Sequence, residues 1–113
     1  MKRLIIQTRK FSATLDELVR KNKVSEEVFE DLERELVRNP ELGEPIQGTG
    51  GVRKTRLRST SGGKRGGFRV CYCDVPEKGR LFLLVVYAKN EKENLTKDEQ
   101  GLLKSLVRLL KKE

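Results

Sequence analysis

Residues 80–88 read RLFLLVVYA, the longest apolar run in the chain. Apolar residues fill both alternating sets of positions, so a strand here is covered on both faces and lies inside a sheet. Two further strand-like runs precede it, at about 52–58 (VRKTRLR) and 66–74 (GGFRVCYCD). The loops at 59–65 and 76–79 are too short for parallel crossovers. The sequence therefore predicts an antiparallel sheet with residues 80–88 at its centre.

Helical patterns and one more strand flank this sheet. Residues 2–8 (KRLIIQT) predict a short strand, and apolar spacing predicts a helix over about 12–21. A second helix is capped by Ser25 and stops before Pro40. Thr96 and Glu99 have the spacing of a capping box, which introduces a third helix. The order β-α-α-β-β-β-α predicts an α+β fold, a small antiparallel sheet flanked by helices.

The chain is long enough for one domain over residues 1–113, and its charge is unevenly spread along it. The net charge is +8, yet residues 45–73 contain seven basic side chains and no acidic one, against 18 basic and 17 acidic elsewhere. The seven are Arg53, Lys54, Arg56, Arg58, Lys64, Arg65 and Arg69. A merely solvated face would mix the signs, as the rest of the chain does. The segment 50–69 is therefore predicted to bind the phosphate backbone of nucleic acid, foremost RNA.

Strand alternation divides these charges between two faces. Lys54, Arg56 and Arg58 fall on one face of their strand, and Arg53 falls on the other. In the next strand Phe68, Val70 and Tyr72 read as core, which leaves Arg69 on the accessible side. Pairing is expected to bring Lys54, Arg56 and Arg69 towards the strand end that carries Tyr87 and Lys89. The alternative is that these are independent side chains that extend separately into solvent.

Other chemistries find little support in the sequence. Cys71 and Cys73 are the only cysteines and there is no histidine, so a zinc site lacks ligands, and no metal or cofactor is expected. Two reduced thiols and the lack of a secretory or membrane-spanning run favour a cytoplasmic protein without a membrane partner. The glycine-rich stretch 62–67 lacks the spacing of a nucleotide-binding loop and is read as a hairpin that contacts phosphate. Asp74 and Glu91 read as turn or solvated carboxylates.

Three motifs resemble the RelE superfamily of toxins, and most closely its HigB branch. They are IQGTGGVRKTRLRS at 46–59, GKRGGFRVCY at 63–72 and LLVVYAKNE at 83–91, and the resemblance spans nearly the whole chain. It implies a small sheet flanked by helices, entry into the ribosomal A site and cleavage of mRNA there. It also implies a cognate HigA-like antitoxin as partner, with operator DNA reached only through that antitoxin.

The resemblance carries roles to individual residues. The catalytic set that it implies is Lys54, Arg56, Arg69, Tyr87 and Lys89, and Asn90 joins Arg53, Arg58, Lys64 and Arg65 as RNA-binding. Arginines suit the stabilisation of negative charge on the phosphate during cleavage. A lysine among other cations suits proton transfer because its pKa is expected to be lowered there. The attacking group is then the RNA's own 2′-OH. One departure is that the family's tyrosine beyond the last strand is absent, since residues 92–96 read KENLT.

Two other functions remain open at this stage. A non-catalytic module that binds RNA or DNA explains the clustered charge equally well, and it predicts salt-sensitive binding without new RNA ends. A regulatory protein whose task is to hold a partner predicts activity that survives loss of Lys54 and Arg69.

Overall fold

The computed structural model describes residues 2–60, 67–92 and 94–112. The strands are β1 (Leu4–Gln7), β2 (Glu44–Pro45), β3 (Val52–Leu57), β4 (Phe68–Val75) and β5 (Arg80–Ala88). The helices are α1 (Arg9–Arg20), α2 (Glu26–Arg38) and α3 (Lys97–Lys112), with a single 3₁₀ turn at Pro76–Lys78. This confirms the predicted α+β class, with one strand, β2, inside what had been predicted to be a loop. None of these helices is both long and apolar enough to cross a membrane.

The five strands form one sheet in the order β1-β5-β4-β3-β2. β5 is interior, between β1 and β4, as its two apolar faces predict, although β4 and not β5 is the middle strand of the five. The expectation of a wholly antiparallel sheet is wrong in one respect, because β1 runs parallel to β5, with Leu4 opposite Arg80. Short hairpins set the direction of β3, β4 and β5, but β1 and β5 are joined by no hairpin. Their relative direction therefore depends on packing that the local sequence does not reveal.

Two apolar cores cover the two faces of the sheet. Helices α1 and α2 pack on one face, where Phe11, Leu36 and Leu83 are fully buried. Helix α3 packs on the other face, where Val107 meets a cluster that includes Val52 and Cys73. Each face of the sheet is therefore covered by its own helices. On the face that α3 covers, the position of α3 alone determines how much of the sheet is open to solvent.

Side-chain caps begin all three helices. The Thr8 hydroxyl accepts a hydrogen bond from Phe11 N at 3.1 Å, so α1 begins at Arg9, three residues before the predicted start at Ser12. The Ser25 hydroxyl caps α2 as predicted, accepting from Val28 N at 3.1 Å. The predicted capping box at the start of α3 is also present, as described with the site below.

A β-bulge in β5 changes which face its last residues occupy. Cys71 lies opposite Val85 and Tyr72 opposite Leu83, so Leu84 is an extra residue in β5. Simple alternation places Tyr87 on the face of Leu83, and the structure corrects this. After the bulge Tyr87 lies on the α3 side, in the core cluster that α3 covers.

Candidate nucleic-acid interface

Three cations converge on the α3 side of the sheet, and we call Lys54, Arg56 and Arg69 the basic cluster. Lys54 and Arg56 lie on the same face of β3 as the buried Val52, and Arg69 lies on the same face of β4 as Cys71. The pairing register places Arg56 directly opposite Arg69, and Arg69 directly opposite Tyr87. The sheet thus holds two guanidinium groups and a phenol in a row across three strands.

The facing arginines are unfavourable without a counterion. Like charges on directly opposed residues destabilise a strand pair. Within the described residues, neither Arg56 nor Arg69 forms an ion pair with a carboxylate. Guanidinium remains charged and binds two oxygens of a phosphate at once, so a phosphodiester is well suited to neutralise both.

Tyr87 contributes a buried phenol to the same row. Its hydroxyl oxygen is inaccessible to solvent and has no hydrogen-bond partner of normal geometry in the described part of the chain, and the nearby Cys71 thiol interacts with it only weakly. Burial raises the pKa of Tyr87 to about 12, chiefly by desolvating the phenolate, while nearby Arg69 acts in the opposite direction. The phenol therefore keeps its proton at neutral pH and remains a hydrogen-bond donor.

The segment that leads into α3 forms one rim of the site. Lys54 Nζ donates a hydrogen bond to Asn94 Oδ1 at 3.2 Å. Lys92 Nζ lies 5.1 Å from the centroid of the Tyr87 ring and forms an ion pair with Glu99. Lys92, Asn94 and Glu99 were not predicted as site residues from the sequence. The capping box was the available signal, because it places Glu99 at the start of α3, but it does not show where that start lies relative to β5.

Cys71 lies behind the cluster, opposite Lys54 in the register. Burial raises the pKa of its thiol to about 11, and burial also raises the pKa of Cys73. Both are free and fully buried. They therefore stay protonated at neutral pH and act as small apolar residues of the α3-side core.

Arg53 lies on the other face of β3 and does not join the basic cluster. Its Nη1 donates a hydrogen bond to the carbonyl oxygen of Gly43 at 2.7 Å, and Nη2 pairs with Glu41 at 3.5 Å. The Tyr72 hydroxyl secures the same loop, accepting from Gly43 N and donating to the carbonyl of Pro40, both at 2.8 Å. The structure thus gives Arg53 an anchoring role, whereas its predicted RNA contact is untested.

The remaining predicted site residues lie at the periphery. A groove of about 510 Å³ beside β3 is lined by the whole basic cluster together with Arg58, and α2 contributes Asp31 and Glu35 to it. Lys89 and Asn90 are exposed in the turn after β5, where Lys89 N donates to the carbonyl of Gly67 at 3.0 Å. The predicted contacts of Lys64 and Arg65, and most of the glycine-rich hairpin, fall outside the described residues.

A small α+β domain that carries a row of cations and a buried phenol across its sheet is typical of compact basic proteins that bind polyanions. Residues 5–112 match the family described as "RelE toxin of RelE / RelB toxin-antitoxin system". The chain belongs to this RelE toxin family of toxin–antitoxin systems. Its fold is similar to that of a double mutant of the E. coli toxin RelE in the free state, with a TM-score of 0.55 and 20% identity. That similarity covers 96% of this chain and 99% of the other.

Proposed function

We propose that this chain is a toxin that cleaves mRNA on the ribosome and thereby inhibits translation, with a HigA-like antitoxin as its cognate partner. The observation that carries the proposal is the row formed by Arg56, Arg69 and Tyr87 across three paired strands. Family membership supports the toxin role, and the row supplies groups that a phosphodiester cleavage requires. The more specific assignment to the HigB branch stays a prediction.

The proposed reaction uses the 2′-OH of the RNA as nucleophile, so it requires no metal-bound hydroxide. The 2′-oxygen bonds to the adjacent phosphorus, the bond to the 5′-oxygen breaks, and a 2′,3′-cyclic phosphate and a 5′-OH result. Arg56 and Arg69 stabilise the charge that develops on the non-bridging oxygens. Positioning by the rigid sheet supplies the in-line geometry.

Two protons move in this reaction, one from the 2′-OH and one to the leaving 5′-oxygen. Lys54 is proposed to take part in proton transfer, since an ammonium group can release and take up a proton whereas the guanidinium groups of Arg56 and Arg69 stay charged. Tyr87 carries a proton, and we assign it a hydrogen bond to a phosphate oxygen or to the leaving oxygen. That bond forms when RNA binding opens the packing around the Tyr87 hydroxyl, which is closed to solvent in the free protein. Lys89, in the exposed turn, is proposed as an additional cation for the same RNA strand.

The experiment is to map mRNA 5′ ends after brief expression of the wild type, Lys54→Ala, Arg69→Ala and a remote control, Lys10→Ala. Lys10 is exposed on α1, on the other face of the sheet. The wild type and Lys10→Ala should produce new ends within translated mRNA, and each site variant should lose them while remaining folded by circular dichroism. Removal of one preorganised charge-stabilising donor typically lowers the rate about 100-fold or more. Ribosome binding without new ends would instead support the non-catalytic function.

A further inference from the structure

Lys92 and Glu99 have no role in the reaction proposed above, yet they stand directly beside the row of arginines and phenol. Lys92 Nζ lies 5.1 Å from the centre of the Tyr87 ring, and Tyr87 is opposite Arg69. Arg69 and Lys92 therefore both approach Tyr87, one from β4 and one from the segment before α3. A cation held against an aromatic face is partly desolvated and directed by the ring.

Glu99 uses its two carboxylate oxygens for different partners. Its Oε1 accepts a hydrogen bond from Thr96 N at 2.8 Å, and the Thr96 hydroxyl accepts from Glu99 N at 3.1 Å, which completes the capping box of α3. Its Oε2 accepts from Lys92 Nζ. One residue thus fixes the start of α3 and the position of the ammonium group.

A stabilising role alone does not account for this pairing. The two side chains are each 35% exposed, and ion pairs with that exposure contribute little to folding because solvent screens them. The capping box already fixes Glu99, so the extra bond to Lys92 has its main consequence at Lys92. The consequence is that a long, flexible side chain is held at the edge of the candidate site before RNA arrives.

We propose that Glu99 is a positioning residue that holds Lys92 over the Tyr87 ring, and that Lys92 is a further phosphate-binding cation beside the basic cluster. The ligand is a backbone phosphodiester of the RNA strand, so the inference rests on the proposed function for its substrate class. Preorganised cations bind at lower entropic cost than free ones, because the side chain is already ordered. Glu99 itself does not touch the RNA in this proposal.

Glutamine at position 99 separates the two roles of Glu99. Its carbonyl oxygen still accepts from Thr96 N, since Gln serves in a capping box as Glu does. Its amide NH₂ group, however, is a donor and cannot accept from the Lys92 ammonium group. Glu99→Gln should therefore keep α3 capped while it releases Lys92.

The experiment compares wild type, Lys92→Met, Lys92→Arg, Glu99→Gln, the double variant and a remote control, Lys10→Met on the exposed side of α1. Affinity for ribosomes programmed with a defined mRNA and the kinetics of cleavage are measured separately. Lys92→Met should raise the KM about tenfold with kcat nearly unchanged, as expected when one charge-assisted phosphate contact is lost. Lys92→Arg should restore KM to within about twofold, and Lys10→Met should match the wild type.

The double variant tests positioning directly. Glu99→Gln should raise KM about threefold by itself and add nothing in the Lys92→Met background, because it acts through Lys92. An equal effect of Glu99→Gln in both backgrounds, or a Lys92→Met variant with unchanged affinity, would overturn the proposal. A wild type that binds programmed ribosomes without cutting mRNA would refute the proposed function, whereas the affinities of the variants would still decide the role of Lys92.

Discussion

Tyr87 gives the sharpest expectation for a single residue, because stability and activity should change in opposite directions. Within the described residues its buried hydroxyl has only the weak Cys71 thiol beside it, and a buried polar group that is poorly satisfied costs stability. Tyr87→Phe removes that group and keeps the ring beside Lys92. We expect the midpoint of urea unfolding to stay the same or rise, by an amount equivalent to at most about 1–2 kcal/mol. Cleavage on the ribosome should fall about tenfold or more if the phenol donates to the reacting phosphate.

The pH dependence of stability provides a second signature of Tyr87. Burial raises the pKa of the folded-state phenol to about 12, from its ordinary value of 10.0. Between these values the unfolded state has lost the proton and the native state retains it, so unfolding becomes more favourable as pH rises. The contribution is complete below pH 10 and is lost as pH rises towards 12.

Urea unfolding of the wild type and Tyr87→Phe, measured between pH 8 and about 11, tests this point. The wild type should lose more stability than the variant over that range. Burial raises the pKa of Cys71 to about 11, and its thiol interacts with the Tyr87 hydroxyl, so both proteins are compared in a Cys71→Ala background. Identical slopes in the two proteins would contradict the assignment of a desolvated phenol.

At the scale of elements, the helix caps make the clearest stability prediction. The Ser25 hydroxyl accepts from Val28 N at the start of α2, whose apolar side packs on the face of the sheet opposite α3. Ser25→Ala should destabilise the protein by about 1 kcal/mol and lower Tm by roughly 3–6 °C. Ser105→Ala, on the exposed side of α3, should change stability by less than about 0.5 kcal/mol. Thermal unfolding by circular dichroism measures both, and cleavage per folded molecule should be unaffected by Ser25→Ala.

The same elements show which parts of the fold are encoded locally. Ser25 and the pair Thr96–Glu99 were identified as caps from sequence because a cap acts within one turn of its helix. Both the parallel pairing of β1 and the existence of β2 depend on partners distant in sequence. The extra residue Leu84 in β5 is equally invisible in an unbroken apolar run, since every residue of that run suits a buried strand.

In the candidate site, too, some features are encoded locally in the sequence and others depend on partners distant in sequence. Lys54, Arg56 and Arg69 were placed on one face by alternation, which holds within β3 and up to the bulge. Tyr87 was expected near them from strand pairing, but its face depends on the bulge. Lys92 and Asn94 lie in an irregular segment with no periodicity, so their approach to Tyr87 and Lys54 becomes apparent only when α3 is docked on the sheet.

At the scale of the whole molecule, the question is whether RNA binding depends on net charge or on where the charge lies. The net charge is +8. Outside residues 45–73 lie 18 of the 25 basic residues, and the 17 acidic residues of that part of the chain nearly balance them. Phosphate binding releases counterions only where cations meet phosphates, so each contacting cation should add about 0.7–0.9 to the salt dependence of log K. Substitutions that remove the same charge at different places therefore distinguish the two explanations.

Arg56→Gln and Arg9→Gln form such a pair. Both lower the net charge from +8 to +7, but Arg56 lies in the row opposite Arg69 and Arg9 is exposed at the start of α1. We expect the plot of log K against log salt for programmed ribosomes to become shallower by about one unit for Arg56→Gln and to keep its slope for Arg9→Gln. Arg56→Gln should also be at least as stable as the wild type, because it relieves the like-charge pair with Arg69. Equal slopes for the two variants would mean that RNA is bound by the net charge of the whole molecule. The basic cluster would then not be the interface.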